Sequence, residues 1–338
     1  MKKVLHLLPS NKFSGAENVV CTIIQNDKEY DMYYCSPRGD IEKSLDERGI
    51  KYIPIEKFKP SYLKKICKEY GIDIIHAHDY KASLLAAFSG FKGKIISQLH
   101  TNWDFNTSWN IYTILYNYII KKFDKIIAVA PAILEEAVYA KKNKNKFVVI
   151  DNVIDKKRVL EKSREFVTDT YDLIYVGRLC EVKRPLIMIE IIKKIKKVKP
   201  NIKMAIIGAG DMEDECLNLI KKYDLTDNIE MLGFKSNPFP YIKNSKIALL
   251  TSKHEGLPMV VIEEMILNVP VLNSGVDGLG KLFEEYPEFI CHSISEYKDK
   301  VVVILDGKLD LKSKCPVIIE KYVDMENYIA KINKVYGE

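Results

Sequence analysis

Short apolar runs without polar alternation recur along the chain, and longer stretches with helical periodicity separate them. Strands that are apolar on both faces are typical of a parallel sheet covered by helices. The pattern predicts a first series of strands at residues 3–8, 30–35, 51–55, 72–76, 94–99 and 125–129, and a second at 147–150, 172–176, 203–207, 229–232, 245–250 and 270–272. With helices such as 185–198 and 213–223 between strands, the two series predict an α/β protein with two Rossmann-like, doubly wound parallel-sheet domains.

The predicted domains span residues 1–160 and 171–320, because the polar segment 152–170 is interpreted as a linker. A length of 338 residues agrees with two domains at roughly 150 residues each. The last helix, within residues 321–338, is not assigned to either domain. Ligands of open α/β sheets bind outside the carboxyl ends of the strands. We therefore expect the two domains to face each other across a cleft lined by the loops that follow their strands.

Composition excludes several classes of protein. Apolar residues make up 47% of the chain and charged residues 29%, which is unlike a disordered or fibrous protein. The longest uncharged apolar run, near residues 111–120, is shorter than the roughly 20 residues that cross a bilayer. His6 and Pro9 interrupt the apolar start, unlike a signal peptide. Seven scattered cysteines without C-x-x-C spacing indicate reduced thiols. We expect a soluble, cytoplasmic protein.

The excess of positive charge is confined to the first half of the chain. Residues 1–150 hold 23 Lys and Arg against 16 Asp and Glu, whereas the remainder holds 29 against 30. This asymmetry favours an anionic partner, either a phosphate-bearing substrate or the inner face of an anionic membrane in peripheral contact. Nucleic acid is not expected, because no basic run is interleaved with aromatic residues. The helix predicted at 109–123 could lie on a membrane surface, but apolar positions nearly encircle it, which favours a core helix.

Two glycine-containing turns follow predicted strands. Gly15 precedes an apolar helix, where backbone N–H groups and the helix dipole favour a phosphate. An ordinary tight turn has the same pattern. Gly208 and Gly210 form a lone G-x-G, which fits a plain strand-to-helix turn as well as a nucleotide site. The missing third glycine disfavours a hydride-transfer enzyme.

Three histidines lie at the ends of predicted strands. His76 and His78 share one strand face and could bind a metal, but no cysteine or well-spaced carboxylate completes a ligand set. Hydrogen-bonded histidines at a strand end are the favoured interpretation. His100 is placed to hydrogen-bond a ligand, and the alternative is a structural histidine.

Two cations flank the loop that follows strand 172–176. Gly177 ends the strand, Arg178 and Lys183 lie five residues apart, and Pro185 begins a helix at a position where proline is favoured. A planar guanidinium and a mobile ammonium suit a pyrophosphate. The alternative is a solvated pair of surface charges.

Two carboxylates flank the start of a later helix. Glu255 lies in a loop that contains Gly256 and Pro258, and Glu263 lies about one turn into the helix. Carboxylates so placed could accept hydrogen bonds from vicinal hydroxyls, one pair on a sugar and one on a ribose. A general acid–base pair for glycoside hydrolysis and a solvated acidic face are the alternatives.

This last segment resembles the E-x7-E motif of the retaining, nucleotide-sugar-dependent glycosyltransferases of family four, whose two Rossmann-like domains form the GT-B fold. The resemblance covers nearly the whole chain. It includes Ser14-Gly15-Ala16-Glu17, similar to the family's N-terminal glycine loop, and Ile74-Ile75-His76-Ala77-His78, similar to its characteristic strand. Gly177-Arg178 with Lys183 resembles its pyrophosphate-binding pair. The Glu255-Gly256-Leu257-Pro258 form most resembles bacterial transferases of capsule and exopolysaccharide assembly.

The resemblance implies a role for each residue. Arg178 and Lys183 would neutralise the diphosphate leaving group, and Glu263 would hold the ribose. Glu255 would hold the donor sugar, and His100 would contact that sugar from the other domain. The remaining implied donor-binding positions are Gly15, Gly208, Gly210, Phe234, Gly256, Leu257, Met259 and Val260. Residues 171–320 would form the donor side and residues 1–160 the acceptor side.

The resemblance also implies the substrates. They are a nucleotide-diphosphate sugar, expected to be a UDP-sugar, and a glycan or lipid-linked acceptor in surface polysaccharide biosynthesis. No cofactor and no metal are expected, because cationic side chains replace the divalent ion and the sequence lacks a D-x-D motif. A nucleotide-sugar epimerase or phosphorylase on the same fold, and a non-catalytic partner subunit, are the alternatives.

Overall fold

A computed structural model describes residues 1–13, 15–100, 104–255 and 258–338, without the side chains of residues 104, 105 and 132. The chain forms two compact units. Unit 1 comprises Met1–Val153 and Asp324–Glu338, and unit 2 comprises Ile154–Val323. Each unit has its own parallel sheet and its own hydrophobic core.

Unit 1 contains a seven-stranded parallel sheet. Its strands are β1 (Lys3–Leu7), β2 (Asp31–Ser36), β3 (Tyr52–Pro54), β4 (Ile74–His78), β5 (Lys94–Leu99), β6 (Lys125–Ala128) and β7 (Phe147–Val149). Their order in the sheet is β3-β2-β1-β4-β5-β6-β7. The connecting helices are α1 (Gly15–Asn26), α2 (Ile41–Asp46), α3 (Pro60–Tyr70), α4 (Asp79–Phe88), α5 (Ile111–Ile119) and α6 (Pro131–Glu136).

Unit 2 contains a five-stranded parallel sheet. Its strands are β8 (Tyr171–Val176), β9 (Met204–Ile207), β10 (Ile229–Gly233), β11 (Ser245–Leu250) and β12 (Val271–Asn273). Their order is β10-β9-β8-β11-β12. The helices are α7 (Lys156–Lys162), α8 (Pro185–Lys196), α9 (Glu213–Lys222), α10 (Phe239–Lys243), α11 (Met259–Ile266), α12 (Asp277–Leu282), α13 (Ile294–Leu305) and α14 (Cys315–Ile319).

The last helix of the chain, α15 (Met325–Gly337), belongs to unit 1. Its Tyr336 hydroxyl lies 2.7 Å from His76 Nδ1 of β4. Lys94 of β5 donates from Nζ to the Tyr336 carbonyl at 2.8 Å. Tyr336 and Ile332 are fully buried in one cluster with side chains of β1, β4 and β5. The chain therefore returns to its first sheet after completing its second.

All twelve predicted strands are present, and each end lies within two residues of its predicted position. Their division between the sheets was wrong at one strand. Residues 147–150 were grouped with the second series, although the predicted first domain, 1–160, includes them; β7 pairs in parallel with β6 in unit 1, as that boundary predicts. An apolar run predicts a buried strand, but it carries no information about which sheet the strand joins.

The unit boundary also differs from the predicted one. Unit 2 begins at Ile154, so much of the segment 152–170 is part of a unit rather than a linker. The α7 helix begins after Asp155, whose Oδ1 accepts the backbone N–H of Arg158 at 3.0 Å. Val159 is buried in the core of unit 2. Polar composition in this segment reflects the solvated face of a short helix.

The prediction of a core helix at 109–123 is wrong for half of its surface. One stripe of α5, formed by Thr113, Tyr116 and Ile119, is buried. Five other apolar side chains of the predicted segment are 49–75% exposed; they are Trp109, Ile111, Tyr112, Ile114 and Tyr118. A helix that is apolar all round gives no sequence signal for which face meets the core.

Both sheets reverse the direction of their winding, unit 1 between β1 and β4 and unit 2 between β8 and β11. We call these positions the switch points. The crevice outside the carboxyl ends of the strands at such a point is the usual ligand site of an open α/β sheet. In the described ranges no helix has the length and apolar content that a membrane crossing requires. All seven cysteines are free thiols, and all but Cys180 are buried.

Candidate functional site

The loop that follows β8 is held by backbone hydrogen bonds to its neighbours. Gly177 donates its N–H to the Ile207 carbonyl at 3.0 Å, and Leu179 donates to the Ala209 carbonyl at 3.1 Å. The Tyr175 hydroxyl donates to the Arg178 carbonyl at 2.8 Å. These three hydrogen bonds fix the backbone of the loop in the absence of a ligand. The loop can therefore present its side chains in a preorganised arrangement.

Gly208 and Gly210 are required by the close approach of two loops. A Cβ at Gly208 would meet the Gly177 carbonyl oxygen at 1.8 Å, and one at Gly210 would meet the Leu179 carbonyl oxygen at 2.1 Å. Gly208 also has a φ of +145°, which disfavours residues with a side chain. These contacts explain the G-x-G sequence by packing between the loops after β8 and β9. Donor binding by the two glycines stays a prediction.

Lys183 and Glu255 form an ion pair at the switch point of unit 2. Lys183 ends a short 3-10 helix, Glu181–Lys183, in the loop after β8, and Glu255 lies in the loop after β11. Their side chains are only 18% and 9% exposed. The Ser252 hydroxyl also donates to Glu255 Oε1, at 2.6 Å. The ammonium and the carboxylate that sequence analysis treated as separate candidates are thus in direct contact.

Hydrogen bonds between the loops hold this ion pair in place. Thr251 Oγ1 donates to the Lys183 carbonyl at 3.0 Å, and Lys253 donates its N–H to the Val182 carbonyl at 2.7 Å. From the loop after β12, Asp277 Oδ2 accepts the Glu255 N–H at 3.1 Å. Sequence analysis missed Thr251, Ser252 and Asp277. Their only signal was proximity to the Glu255 motif or to a strand end.

Three non-glycine residues that follow strands, two in unit 2 and one in unit 1, have positive φ. Arg184 (φ +53°) follows Lys183 and caps α8, and Asp277 (φ +45°) begins α12. In unit 1, Asp79 (φ +62°) begins α4 directly after His78. Such backbone conformations cost on the order of 1–3 kcal/mol each and concentrate at functional sites. All three lie just after or near the carboxyl end of a strand.

Arg178 and Phe234 are the exposed candidates of unit 2. Within the described part of the chain, the Arg178 side chain makes no hydrogen bond or ion pair. Phe234 follows β10 and is 77% exposed. Met259 and Val260 form the first residues of α11 and are half-buried against the core. Gly256 and Leu257 lie outside the described residues.

Two adjacent carboxyls of α11 are shifted by burial. Burial raises the pKa of Glu263 to about 7, and the charge of Arg158 opposes the shift. Burial raises the pKa of Glu264 well above its ordinary value, with a further increase from the charge of Glu263. Sequence analysis chose Glu263 and passed over Glu264, although only Glu264 is buried throughout. Glu263 is therefore a carboxyl that titrates near neutral pH.

Four histidines meet at the switch point of unit 1. His6 of β1 is in register with His76 of β4, and His78 lies two residues further along the same face. His6 Nδ1 lies 3.0 Å from His78 Nε2, and His78 Nδ1 lies 2.8 Å from Nε2 of His100. The rings of His78 and His100 stack at 5.1 Å. Burial lowers the pKa of all four imidazoles, that of His6 to about 3.

Three of these histidines have the spacing of a possible metal site. One ligand atom each of His6, His76 and His78 lies within 4.8 Å of the others. All three are buried, and His76 is in contact with the Tyr336 hydroxyl. Hydrogen bonds among the rings occupy three of the six nitrogens, as expected for histidines bonded at strand ends. The participation of His6 was not predicted, because it lies about 70 residues from the pair.

The backbone N–H of His100 is hydrogen-bonded to a carboxylate, and two carboxylates affect the pKa of its imidazole. Its N–H donates to Asp79 Oδ1 at 2.8 Å. Burial lowers the pKa of His100, and the charges of Asp79 and Glu17 oppose this shift. Glu17 lies in the first turn of α1, two residues after the exposed Gly15. Sequence analysis quoted Glu17 in the glycine loop without assigning it a role.

Family models match both halves of the chain. The model described as Glycosyltransferase Family 4 matches residues 14–158, and the model described as Glycosyl transferases group 1 matches residues 156–315. The two matches meet within a few residues of the boundary between the units.

Curated relatives cover most of the chain. An uncharacterized glycosyltransferase of Methanocaldococcus jannaschii is 30% identical over 73% of this chain and 70% of its own length. The capsular polysaccharide biosynthesis glycosyltransferase CapH of Staphylococcus aureus is 26% identical over 82% of each chain. An N-acetylgalactosamine-N,N'-diacetylbacillosaminyl-diphospho-undecaprenol 4-alpha-N-acetylgalactosaminyltransferase of Campylobacter jejuni is 27% identical over 80% of each.

A solved structure shares the whole fold. The crystal structure of HepE from Anabaena in complex with UDP superposes with a TM-score of 0.83, covers all of both chains and is 16% identical. This likeness confirms the predicted GT-B-type architecture of two Rossmann-like domains. The family matches and the relative at 30% identity show that this chain belongs to glycosyltransferase family four.

Proposed function

We propose that this glycosyltransferase moves a sugar from a UDP-sugar to a glycan or lipid-linked acceptor in surface polysaccharide biosynthesis, with retention of anomeric configuration and without a metal ion. The observation that carries the proposal is the arrangement at the switch point of unit 2. There, Lys183 is held against Glu255, while the guanidinium of Arg178 is exposed in the same loop. A cation held in an ion pair, an exposed cation and an anchored carboxylate suit a diphosphate joined to a sugar.

Arg178 and Lys183 would stabilise the departing diphosphate. Separation of a nucleoside diphosphate from an oxocarbenium-like sugar builds negative charge on the leaving group. Cations that are positioned in advance lower this barrier, each by roughly 3–4 kcal/mol. The hydrogen bonds that anchor the loops after β8 and β11 support such preorganisation. Cationic side chains would thereby supply the charge that a divalent metal supplies elsewhere.

The neighbouring groups of unit 2 would bind the rest of the donor. Glu255 would accept hydrogen bonds from hydroxyls of the sugar, and Glu263 from hydroxyls of the ribose. The exposed ring of Phe234 would stack on the base. The first-turn amides of α11, at Met259 and Val260, would face phosphate oxygens together with Gly256 and Leu257. Gly208 and Gly210 would line the same donor pocket.

In unit 1, His100 would contact the donor sugar, and the loop at Gly15 would close over the phosphates. Retention follows if the acceptor attacks from the side that the diphosphate leaves, with a phosphate oxygen taking the acceptor proton. Exclusion of water would then limit hydrolysis of the donor.

Names of similar proteins support the choice of substrates. The related crystal structure holds UDP, which favours a uridine nucleotide as donor. One relative acts in capsular polysaccharide biosynthesis, and another is named for a diphospho-undecaprenol acceptor. A lipid-linked acceptor requires access to a membrane surface.

The exposed face of α5 would provide peripheral contact with the membrane. Its apolar and aromatic side chains are the kind that enter the interface between headgroups and acyl chains. Three lysines lie over aromatic rings of this region: Lys121 at 4.5 Å from Tyr118, Lys122 at 4.7 Å from Phe88 and Lys142 at 5.9 Å from Trp109. Such lysines would attract an anionic leaflet.

The membrane contact is tested with liposomes. The Ile111→Ser/Ile114→Ser double variant should bind vesicles that contain anionic lipid roughly ten times more weakly than the wild type. The matched control is Val167→Ser/Val198→Ser, which removes exposed apolar side chains of unit 2 and should bind as the wild type does. Wild-type binding that is insensitive to salt and to anionic lipid content would contradict the proposal.

The transfer activity is tested in two steps. A panel of nucleotide diphosphates and nucleotide sugars is screened by melting temperature, and the best donor is then assayed for acceptor-free hydrolysis. A uridine diphosphate compound should raise the melting temperature, and Arg178→Ala should abolish that rise. Isomerisation of the donor without an acceptor would favour an epimerase, and dependence on inorganic phosphate would favour a phosphorylase.

A further inference from the structure

Three imidazoles of unit 1 form an unbranched chain of hydrogen bonds that ends at His100. His78 is the middle member: its Nε2 faces His6 Nδ1 at 3.0 Å, and its Nδ1 faces His100 Nε2 at 2.8 Å. Two nitrogens remain, Nε2 of His6 and Nδ1 of His100. In the described part of the chain, both are buried and have no hydrogen-bond partner.

Because each imidazole carries one ring proton, the tautomers of the two end residues of this hydrogen-bonded chain, His6 and His100, depend on each other. Burial lowers the pKa of each of the three imidazoles, so each is neutral at pH 7 and carries one ring proton. Each hydrogen bond needs one proton between the two nitrogens that it joins. His78 must therefore donate to one neighbour and accept from the other. All three rings then share one tautomer, either Nδ1–H throughout or Nε2–H throughout.

The two tautomeric states present different groups at the ends. With Nδ1–H throughout, His100 offers a free N–H donor and His6 ends in a bare acceptor. With Nε2–H throughout, His6 carries a buried N–H without a partner and His100 ends in a bare acceptor. Each state therefore leaves one buried N–H without a partner, at His100 in the first and at His6 in the second, and an orphaned N–H is costly. A ligand oxygen outside the strand end can accept the N–H of His100 but not that of His6. His6 is fully buried, whereas His100 is half-buried at the strand end.

Two carboxylates favour the same state. Asp79 accepts the backbone N–H of His100 at 2.8 Å, and the charges of Asp79 and Glu17 both act on the imidazole of His100. Asp79 is bonded at the backbone of His100, and Nδ1 is the ring nitrogen nearer the backbone, so the negative charge of Asp79 favours Nδ1 as the position of the proton. Asp79 directly follows His78 and has a φ of +62°.

We propose that His78, with His6 behind it, is a positioning residue that fixes the tautomer of His100, so that Nδ1–H of His100 is a hydrogen-bond donor to an oxygen of the donor sugar. The proposal rests on the proposed function, in which His100 contacts that sugar. Because His100 is hydrogen-bonded to two further buried imidazoles, its Nδ1 has one defined role as a hydrogen-bond donor. A histidine that exchanged freely between tautomers would present the wrong group for part of the time.

The tautomers are read directly by NMR of protein labelled with ¹⁵N-histidine. The protein has six histidines, and single substitutions assign their NMR signals. Long-range proton–nitrogen correlations distinguish a protonated ring nitrogen from a bare one. In the ligand-free wild type, His6, His78 and His100 should all carry the proton on Nδ1. A mixture of tautomers among the three, or a proton on Nε2 of His100, would overturn the proposal.

Substitutions at His78 separate positioning from packing. His78→Phe keeps an aromatic ring in the core but removes both hydrogen bonds, so His100 should exchange between tautomers and kcat/KM for the donor should fall roughly 10- to 100-fold. His78→Asn restores an amide donor toward His100 Nε2 and should recover part of that loss. Unchanged His100 tautomers in His78→Phe would contradict the proposal.

Tyr336→Phe is the matched control. It removes a hydroxyl from His76, an equally buried imidazole that lies beside the chain but outside it. The His100 signals and kcat/KM should stay within about twofold of the wild type, because the three-ring chain is intact. Addition of the donor should shift the His100 Nδ1 signal, and saturation without any shift would overturn the proposal. Failure of the proposed function is a separate result, since no nucleotide sugar would then raise the melting temperature.

Discussion

At the switch point of unit 2, an ammonium and a carboxylate are paired and nearly buried, whereas at the switch point of unit 1 burial keeps four imidazoles neutral. Both positions follow from the same sheet topology, in which the connections after two neighbouring strands run in opposite directions and open a crevice at the carboxyl ends of those strands. The difference lies in the side chains that enter the crevice. Unit 2 offers fixed charge, which suits a diphosphate, and unit 1 offers neutral hydrogen-bonding groups, which suit a sugar.

Removal of Lys183 should have the largest effect, because it acts on both structure and chemistry. Lys183→Ala leaves the Glu255 carboxylate without its cation, which should destabilise unit 2 by about 3 kcal/mol. It should also lower kcat roughly 100- to 1000-fold by the loss of charge on the leaving group. Urea unfolding and transfer rates measure the two effects.

The double variant Lys183→Met/Glu255→Gln separates these two effects. It removes both charges, so it should recover most of the stability and none of the activity. Recovery of transfer by the double variant would mean that Lys183 only neutralises Glu255 and has no part in binding the diphosphate.

Arg178→Ala should lower activity without lowering stability. The side chain is exposed, and its removal should change the free energy of unfolding by less than about 0.5 kcal/mol. Loss of a cation from the diphosphate should still lower kcat/KM roughly 100-fold. Arg178→Lys, the control, should retain part of the activity because it keeps the charge but not the planar fork. Equal activity of the wild type and Arg178→Ala would show that Arg178 does not bind the diphosphate.

The two units should respond to acid in opposite directions. The pKa of His6 is lowered from 6.5 to about 3, so its contribution to stability is complete above pH 6.5 and is lost as the pH falls. At pH 5 the loss is roughly 2 kcal/mol for this one histidine. The pKa of Glu263 is raised from 4.5 to about 7, so unit 2 is more stable at pH 5 than at pH 7.5.

Amide hydrogen exchange at pH 5 and pH 7.5, corrected for intrinsic rates, checks this prediction unit by unit. Core amides of unit 1 should be less protected at pH 5 and those of unit 2 more protected. Glu263→Gln should reduce the pH dependence in unit 2 and leave unit 1 unchanged. Parallel responses of both units would show that the two switch points do not differ in the way described.

The sequence predicted the strands well because a buried parallel strand has a local signature. It could not show that β7 joins the first sheet or that half of α5 is exposed, since both depend on which surfaces meet in three dimensions. The candidate charges were also found locally, as Arg178, Lys183 and Glu255. Their pairing was not, because Lys183 and Glu255 are 72 residues apart and meet only when β8 and β11 become neighbours. The same reason hid His6 from the histidine chain.

The central claim is that the loops after β8 and β11 bind a diphosphate, and calorimetric titration of UDP against uridine tests it most directly. Both ligands carry the same base and ribose, so the difference in their affinities reports on the phosphates. We predict that the wild type binds UDP at least about 100-fold more tightly than uridine, a difference of roughly 2.7 kcal/mol, and that Arg178→Ala loses most of that difference. Equal affinities for UDP and uridine in the wild type would contradict the account.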